Sequence, residues 1–114
     1  MGFLSGKFDR NTILGTDDVR GAGHGWTEKV FRNGRPTAHA LDTLDAVREI
    51  LSSNGRTLTQ GALAWIWGKS DISIPIPGFK SVKQVTENAQ AMEFGALLPA
   101  QIAEIDRLLQ GIGA

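Results

Sequence analysis

The residues best suited to chemistry lie close together near the end of the chain. Lys80, Ser81, Lys83, Gln84, Glu87 and Asn88 follow a Pro77-Gly78 turn and open a helix. The free backbone N–H groups of a helix N-terminus and the helix dipole favour an anion at that end. Lys80 and Lys83 add positive charge beside it. Gln84, Glu87 and Asn88 recur at spacings of three and four and so share roughly one face. Amide and carboxylate groups on such a face can hydrogen-bond a polar planar ring. The same residues suit a capped helix whose polar face simply meets water, and spacing alone leaves both readings open.

Several elements must position this turn. Ile72-Ser73-Ile74-Pro75-Ile76 alternates apolar and polar residues, which predicts a short strand. Pro75 and Pro77 have no N–H to give a ladder, so that strand is short or has an unpaired side. Ser81 and Gln84 have capping-box spacing, and a helix is predicted to run to about Met92 with Val82, Val85, Ala89 and Met92 as its inner stripe. Upstream, Leu41, Leu44, Val47, Ile50 and Leu51 form one apolar stripe on a helix that starts near Ala38. Thr37 is its expected N-cap and Gly55 its stop. Thr57 and Gln60 form a second capping box, and the helix they open is apolar nearly all round through Trp67. It should be buried on several sides, with Trp65 and Trp67 as core residues. Pro99 opens a last helix with the stripe Ile102, Ile105, Leu109 and Ile112. Residues 11–36 have no sustained period and read as a long loop. The expected class is mainly α with one or two short strands. A lone strand builds no sheet, so either the chain is mostly helical or the strand pairs with something outside it.

Composition removes several function classes. The 114 residues carry twelve basic and twelve acidic side chains, for a formal net charge of zero. No broad basic field exists to hold nucleic acid or an anionic lipid surface. With no cysteine, disulfides and thiolate metal sites are excluded. No apolar run approaches the roughly 20 residues of a membrane span. The first residues lack the charged and apolar regions of a signal peptide, so a cytoplasmic protein is the expectation. Asp17 and Asp18 are adjacent in a loop, a poor arrangement for a metal.

Ile76-Pro77-Gly78-x-Lys80 followed by Gln84-x-x-Glu87-Asn88 resembles the last strand, turn and helix of the aldo-keto reductases. Gln60-Gly61-Ala62-Leu63-Ala64-Trp65 resembles the helix before that strand. Leu98-Pro99-x-x-Ile102-x-x-Ile105 resembles the closing helix. Gly2-Phe3-Leu4-Ser5-Gly6-Lys7-Phe8 is similar to the family's loop after the seventh barrel strand. The order of these segments, with about 70 residues between the N-terminal one and the Ile76–Asn88 motif, makes the resemblance specific, and it covers nearly the whole chain. It implies NADP as cofactor. Lys80 and Ser81 would meet the adenosine 2′-phosphate, Gln84, Glu87 and Asn88 the adenine side, and Gly78 and Phe79 would allow close backbone approach. Gly2, Leu4, Ser5 and Lys7 would wrap the pyrophosphate. The implied fold is the C-terminal part of a (β/α)8 barrel, an incomplete barrel, with residues 1–114 as one partial domain. Residues 1–37 would form the pyrophosphate-loop-like segment and a long flexible loop. Residues 38–114 would hold the helices, the last barrel strand and the adenosine-binding-like helix.

The family's catalytic tetrad is Asp, Tyr, Lys and His, with Tyr as proton donor. This chain contains no Tyr, and His24 and His39 lie in the wrong segments, so no catalytic residue is assigned. The implied function is the cofactor-binding segment of a reductase of aldehydes or ketones, incomplete as a catalyst by itself. The alternative is a non-catalytic helical protein that self-associates and binds no nucleotide. The expected partners are NADP(H), and either a second copy or the missing N-terminal barrel half. Nucleic acid and membrane are not among them.

Overall fold

The computed structural model describes Leu4, residues 7–18, Gly21, Gly25 and residues 28–112. Four helices dominate: α1 (Ala38–Leu51), α2 (Leu58–Lys69), α3 (Val82–Phe94) and α4 (Pro99–Gln110). Two short strands, β1 (Phe31–Arg32) and β2 (Arg35–Pro36), pair antiparallel, with Phe31 opposite Pro36 and Arg32 opposite Arg35. The protein is mainly helical with two short strands. Their location corrects the reading of 11–36 as unbroken loop. Asn33 and Gly34 sit at φ 52° and 72°, the left-handed pair that a tight hairpin turn demands. The hairpin is anchored by the N–H of Leu14 on the Gly34 carbonyl at 2.8 Å. The buried rings of Phe8 and Phe31 meet edge to face at 5.4 Å.

The predicted caps form. The Thr37 hydroxyl accepts from the Ala40 N–H and starts α1. At α2 the Thr57 hydroxyl accepts from the Gln60 N–H, and the Gln60 side-chain oxygen accepts from the Thr57 N–H at 2.9 Å. Between α1 and α2 a short 3₁₀ turn at Ser53–Gly55 reverses the chain, with Asn54 and Gly55 both at positive φ. The helices cross closely there. A Cβ built on Gly61 would lie 2.0 Å from the Leu51 carbonyl oxygen, so glycine is required by contact.

The core sits where α1, α2 and α4 meet. Val47, Leu51, Ala64, Leu97 and Ile105 form its buried centre, and Ile102 and Leu109 pack against it. The α1 and α4 stripes therefore face inward as their periodicity predicts. Trp65 and Trp67 are half-buried, and the indole N–H of Trp65 is buried without a hydrogen-bond partner among the described residues.

Two expectations fail. Residues 72–76 form no ladder, and Ile72, Ile74 and Ile76 are 91, 86 and 94% exposed. Alternation prepares a strand, but a strand exists only with a hydrogen-bonding neighbour, and no described segment supplies one. The stripe assigned to α3 points outward too, with Val82 and Met92 well exposed. That helix instead buries Ala91 and docks by a polar tie described below.

Candidate functional site

The turn at 77–81 leads directly into α3. Ser81 adopts an extended backbone, and its hydroxyl oxygen accepts from the Gln84 N–H at 3.2 Å. Cap and helix start agree with the sequence pattern. The reciprocal half of the capping box is displaced by one residue: the Gln84 side-chain oxygen accepts from the N–H of Lys80. The Asn88 side-chain amide reaches back toward the Gly78 carbonyl at 3.5 Å. Two of the three residues expected to meet a planar ring thus brace the turn from the helix. Gly78, Phe79, Lys80, Ser81 and Gln84 are exposed, while Glu87 and Asn88 are half-buried. A Cβ on Gly78 would meet nothing within 4 Å, so open space surrounds the turn.

The helix end is electrostatically simple. Lys80 and Lys83 flank the first turn of α3, whose earliest N–H groups are not all consumed by the Ser81 cap. No ion pair joins either lysine to a carboxylate among the described residues. An anion placed there would meet two cations and the positive end of the helix dipole.

What holds α3 in place was read from the sequence only as a cap. Gln60 is 4% exposed. Its oxygen closes the α2 capping box, and its amide nitrogen donates to the Glu87 carbonyl at 2.9 Å. One side chain therefore starts α2 and fastens the middle of α3. The far end of α3 is held by Arg56, also buried. Its guanidinium donates to the Phe94 carbonyl at 3.2 Å and lies 5.7 Å from the Phe94 ring centroid. A cleft of about 510 Å3 runs beside the Gln60 tie, bordered by Thr57, Lys83, Thr86, Glu87 and Gln90. Thr86 and Gln90 were missed because nothing local marks an exposed polar helix residue as the wall of a cleft. Gln60 carried a signal, since it is the one long polar side chain in an otherwise apolar segment.

The N-terminal residues assigned by resemblance lie apart from this turn or beyond view. Gly2 and Ser5, like His24, fall outside the described residues. Leu4 borders an apolar cavity between α1, α2 and α4 that residues 78–88 do not line. Lys7 is exposed, with its ammonium 6.0 Å from the Phe8 ring centroid. His39 bonds through Nε2 to the Gly111 carbonyl at 2.8 Å, linking the start of α1 to the end of α4. Among the described residues no group of three or more His, Asp or Glu could hold a metal, and no helix is long and apolar enough to cross a membrane. The N–H of Asn11, bonded to the Asp9 carboxylate, holds that acid below its usual range. Arg107 does the same for Glu104. Both acids lie on the surface away from the turn.

Comparison with known proteins agrees with the family resemblance. The family model described as the aldo/keto reductase family matches residues 1–110, and the chain belongs to that family. It is 30% identical over 96 residues to the Schizosaccharomyces pombe aldo-keto reductase yakc [NADP(+)], covering 84% of this chain and 25% of that protein. It is 28% identical over 116 residues to the mouse aflatoxin B1 aldehyde reductase member 2, covering 93% of this chain and 31% of the relative. The chain thus spans about a quarter to a third of the length of these curated relatives. No solved structure matches it significantly.

Proposed function

We propose that this chain is the cofactor-holding C-terminal segment of an NADPH-dependent reductase of aldehydes or ketones, and that it forms the end of an incomplete (β/α)8 barrel. The observation that carries the reading is the turn at 77–81, which presents Lys80, the cap residue Ser81 and Lys83 to solvent at the start of a helix. The donor set fits a phosphate monoester: backbone N–H groups, one hydroxyl and two ammonium groups, with no carboxylate paired to either cation among the described residues. The family name of the fission-yeast relative, which carries NADP(+), makes the adenosine 2′-phosphate the natural anion. In this assignment Lys80 and Ser81 take the phosphate. Gly78 and Phe79 let backbone approach it. Glu87 and the outer edges of Gln84 and Asn88 face the adenine. Gly2, Leu4, Ser5 and Lys7 belong to the pyrophosphate side.

When bound, NADPH supplies the hydride for carbonyl reduction. The residues of this chain bind and orient it and move no proton, because the sequence has no Tyr to act as the family's acid. Titration with NADPH and with NADH, followed by tryptophan fluorescence, tests the assignment. NADPH should bind more tightly, and Lys80→Ala should weaken NADPH about tenfold while leaving NADH nearly unchanged, because only the former carries the phosphate. Equal losses for both nucleotides, or no binding of either to the unaltered chain, would remove the site.

A second reading has its own support. Ile72, Ile74 and Ile76 are almost fully exposed, and contiguous apolar surface of this kind marks an interaction face. In the first reading it is the last barrel strand awaiting its neighbours. In the second it drives self-association of a non-catalytic helical protein. Sedimentation of the chain at increasing concentration, with and without Ile74→Lys, separates them, since concentration-dependent assembly abolished by the lysine supports the second.

A further inference from the structure

The core contains a cavity that the turn at 77–81 does not line, and of the residues assigned to the cofactor only Leu4 borders it. It measures about 150 Å3 and lies among α1, α2 and α4. Among the residues that line it, Ala40, Leu44, Val47, Leu51 and Ile105 are each no more than 3% exposed. No polar surface opens into it. Protein interiors are normally packed without voids much larger than a water molecule. A water molecule there would find no polar partner on the wall. An apolar cavity of this volume in another protein stays dry and admits benzene.

We propose that this cavity is a binding site for one small, uncharged, apolar molecule of about the size of a single aromatic ring, with no hydrogen-bonding group. Volume sets the upper size, and a wall that presents no polar surface sets the chemistry. A guest recovers dispersion contacts that the wall lacks when empty, whereas a hydroxyl or amine on it would lose its water and gain no partner. The site is separate from the turn at 77–81, none of whose residues line it. The proposal therefore does not depend on the phosphate assignment at that turn.

Benzene is the probe. Thermal unfolding of the unaltered chain is followed by circular dichroism at benzene concentrations up to saturation, with phenol as the polar control. A ligand that binds only the folded state raises the midpoint, by about 5 °C at roughly tenfold excess over its dissociation constant. Phenol should give no rise. Ala62→Leu places three more carbons at the cavity wall and should abolish the benzene response. Should that variant fail to fold, Leu109→Ala widens the same space, and its midpoint should then respond to the bicyclic hydrocarbon naphthalene while the unaltered chain does not. An unchanged midpoint in saturating benzene, an equal rise with phenol, or a benzene response that persists in folded Ala62→Leu would each overturn the proposal.

Discussion

The junction of α1, α2 and α4 and the stretch from Ser70 through the outer face of α3 are built from similar residues and behave in opposite ways. At the junction, Leu, Val and Ile at three- and four-residue spacings find one another, and Val47, Leu51 and Ile105 are at most 2% exposed. Along the other stretch Ile72, Ile74, Ile76, Val82 and Met92 are as apolar and stand in solvent. A helix satisfies its own backbone, so its stripe needs only another helix to cover it. An extended segment satisfies neither backbone nor side chains without neighbours on its edges. The same chain thus holds one region that covers its own apolar residues and one that leaves them in solvent.

That contrast can be broken by substitution. The largest effect is expected at Leu51→Ala, which should cost about 2–5 kcal/mol in denaturant unfolding, because it enlarges an existing void as well as removing burial. A cost below about 1 kcal/mol would mean that the junction is looser than its packing indicates. Gly61→Ala comes next, at about 2–3 kcal/mol, since its Cβ would collide with backbone rather than with a yielding side chain. An unchanged unfolding midpoint would show that α1 and α2 separate freely. Smallest is Ile74→Ser, expected to alter stability by no more than about 0.5 kcal/mol in dilute solution, as exposed positions usually do. A loss above about 1 kcal/mol would show that something covers the isoleucines, and would erase the distinction between the two regions.

Legibility in the sequence follows the same division. The stripes of α1 and α4, the Thr37 and Ser81 caps and the Thr57–Gln60 box could be read because each depends on neighbours within a turn or two. The hairpin was missed although Asn33-Gly34 is a strong local turn signal. Its strands are two residues each, too short for alternation to show. The strand at 72–76 was read from a true pattern that lacks a pairing partner. On α3 the periodicity of Val82, Val85, Ala89 and Met92 is real, but the helix is oriented by Gln60 and Arg56, whose reach across 27 and 38 positions no local pattern contains. At the candidate site, the turn, the cap and the lysines were legible from residue type. That Gln84 and Asn88 would bend back onto the turn was not, because a side chain's choice between backbone and ligand is decided by geometry.

The double engagement of Gln60 couples two events that would otherwise be independent. Its oxygen is satisfied only while the first turn of α2 is wound, and its nitrogen only while α3 lies alongside. Unwinding that turn frees the side chain and lets go of the helix that carries Lys83 and Glu87. The start of α2 and the seating of the middle of α3 are therefore coupled through one side chain.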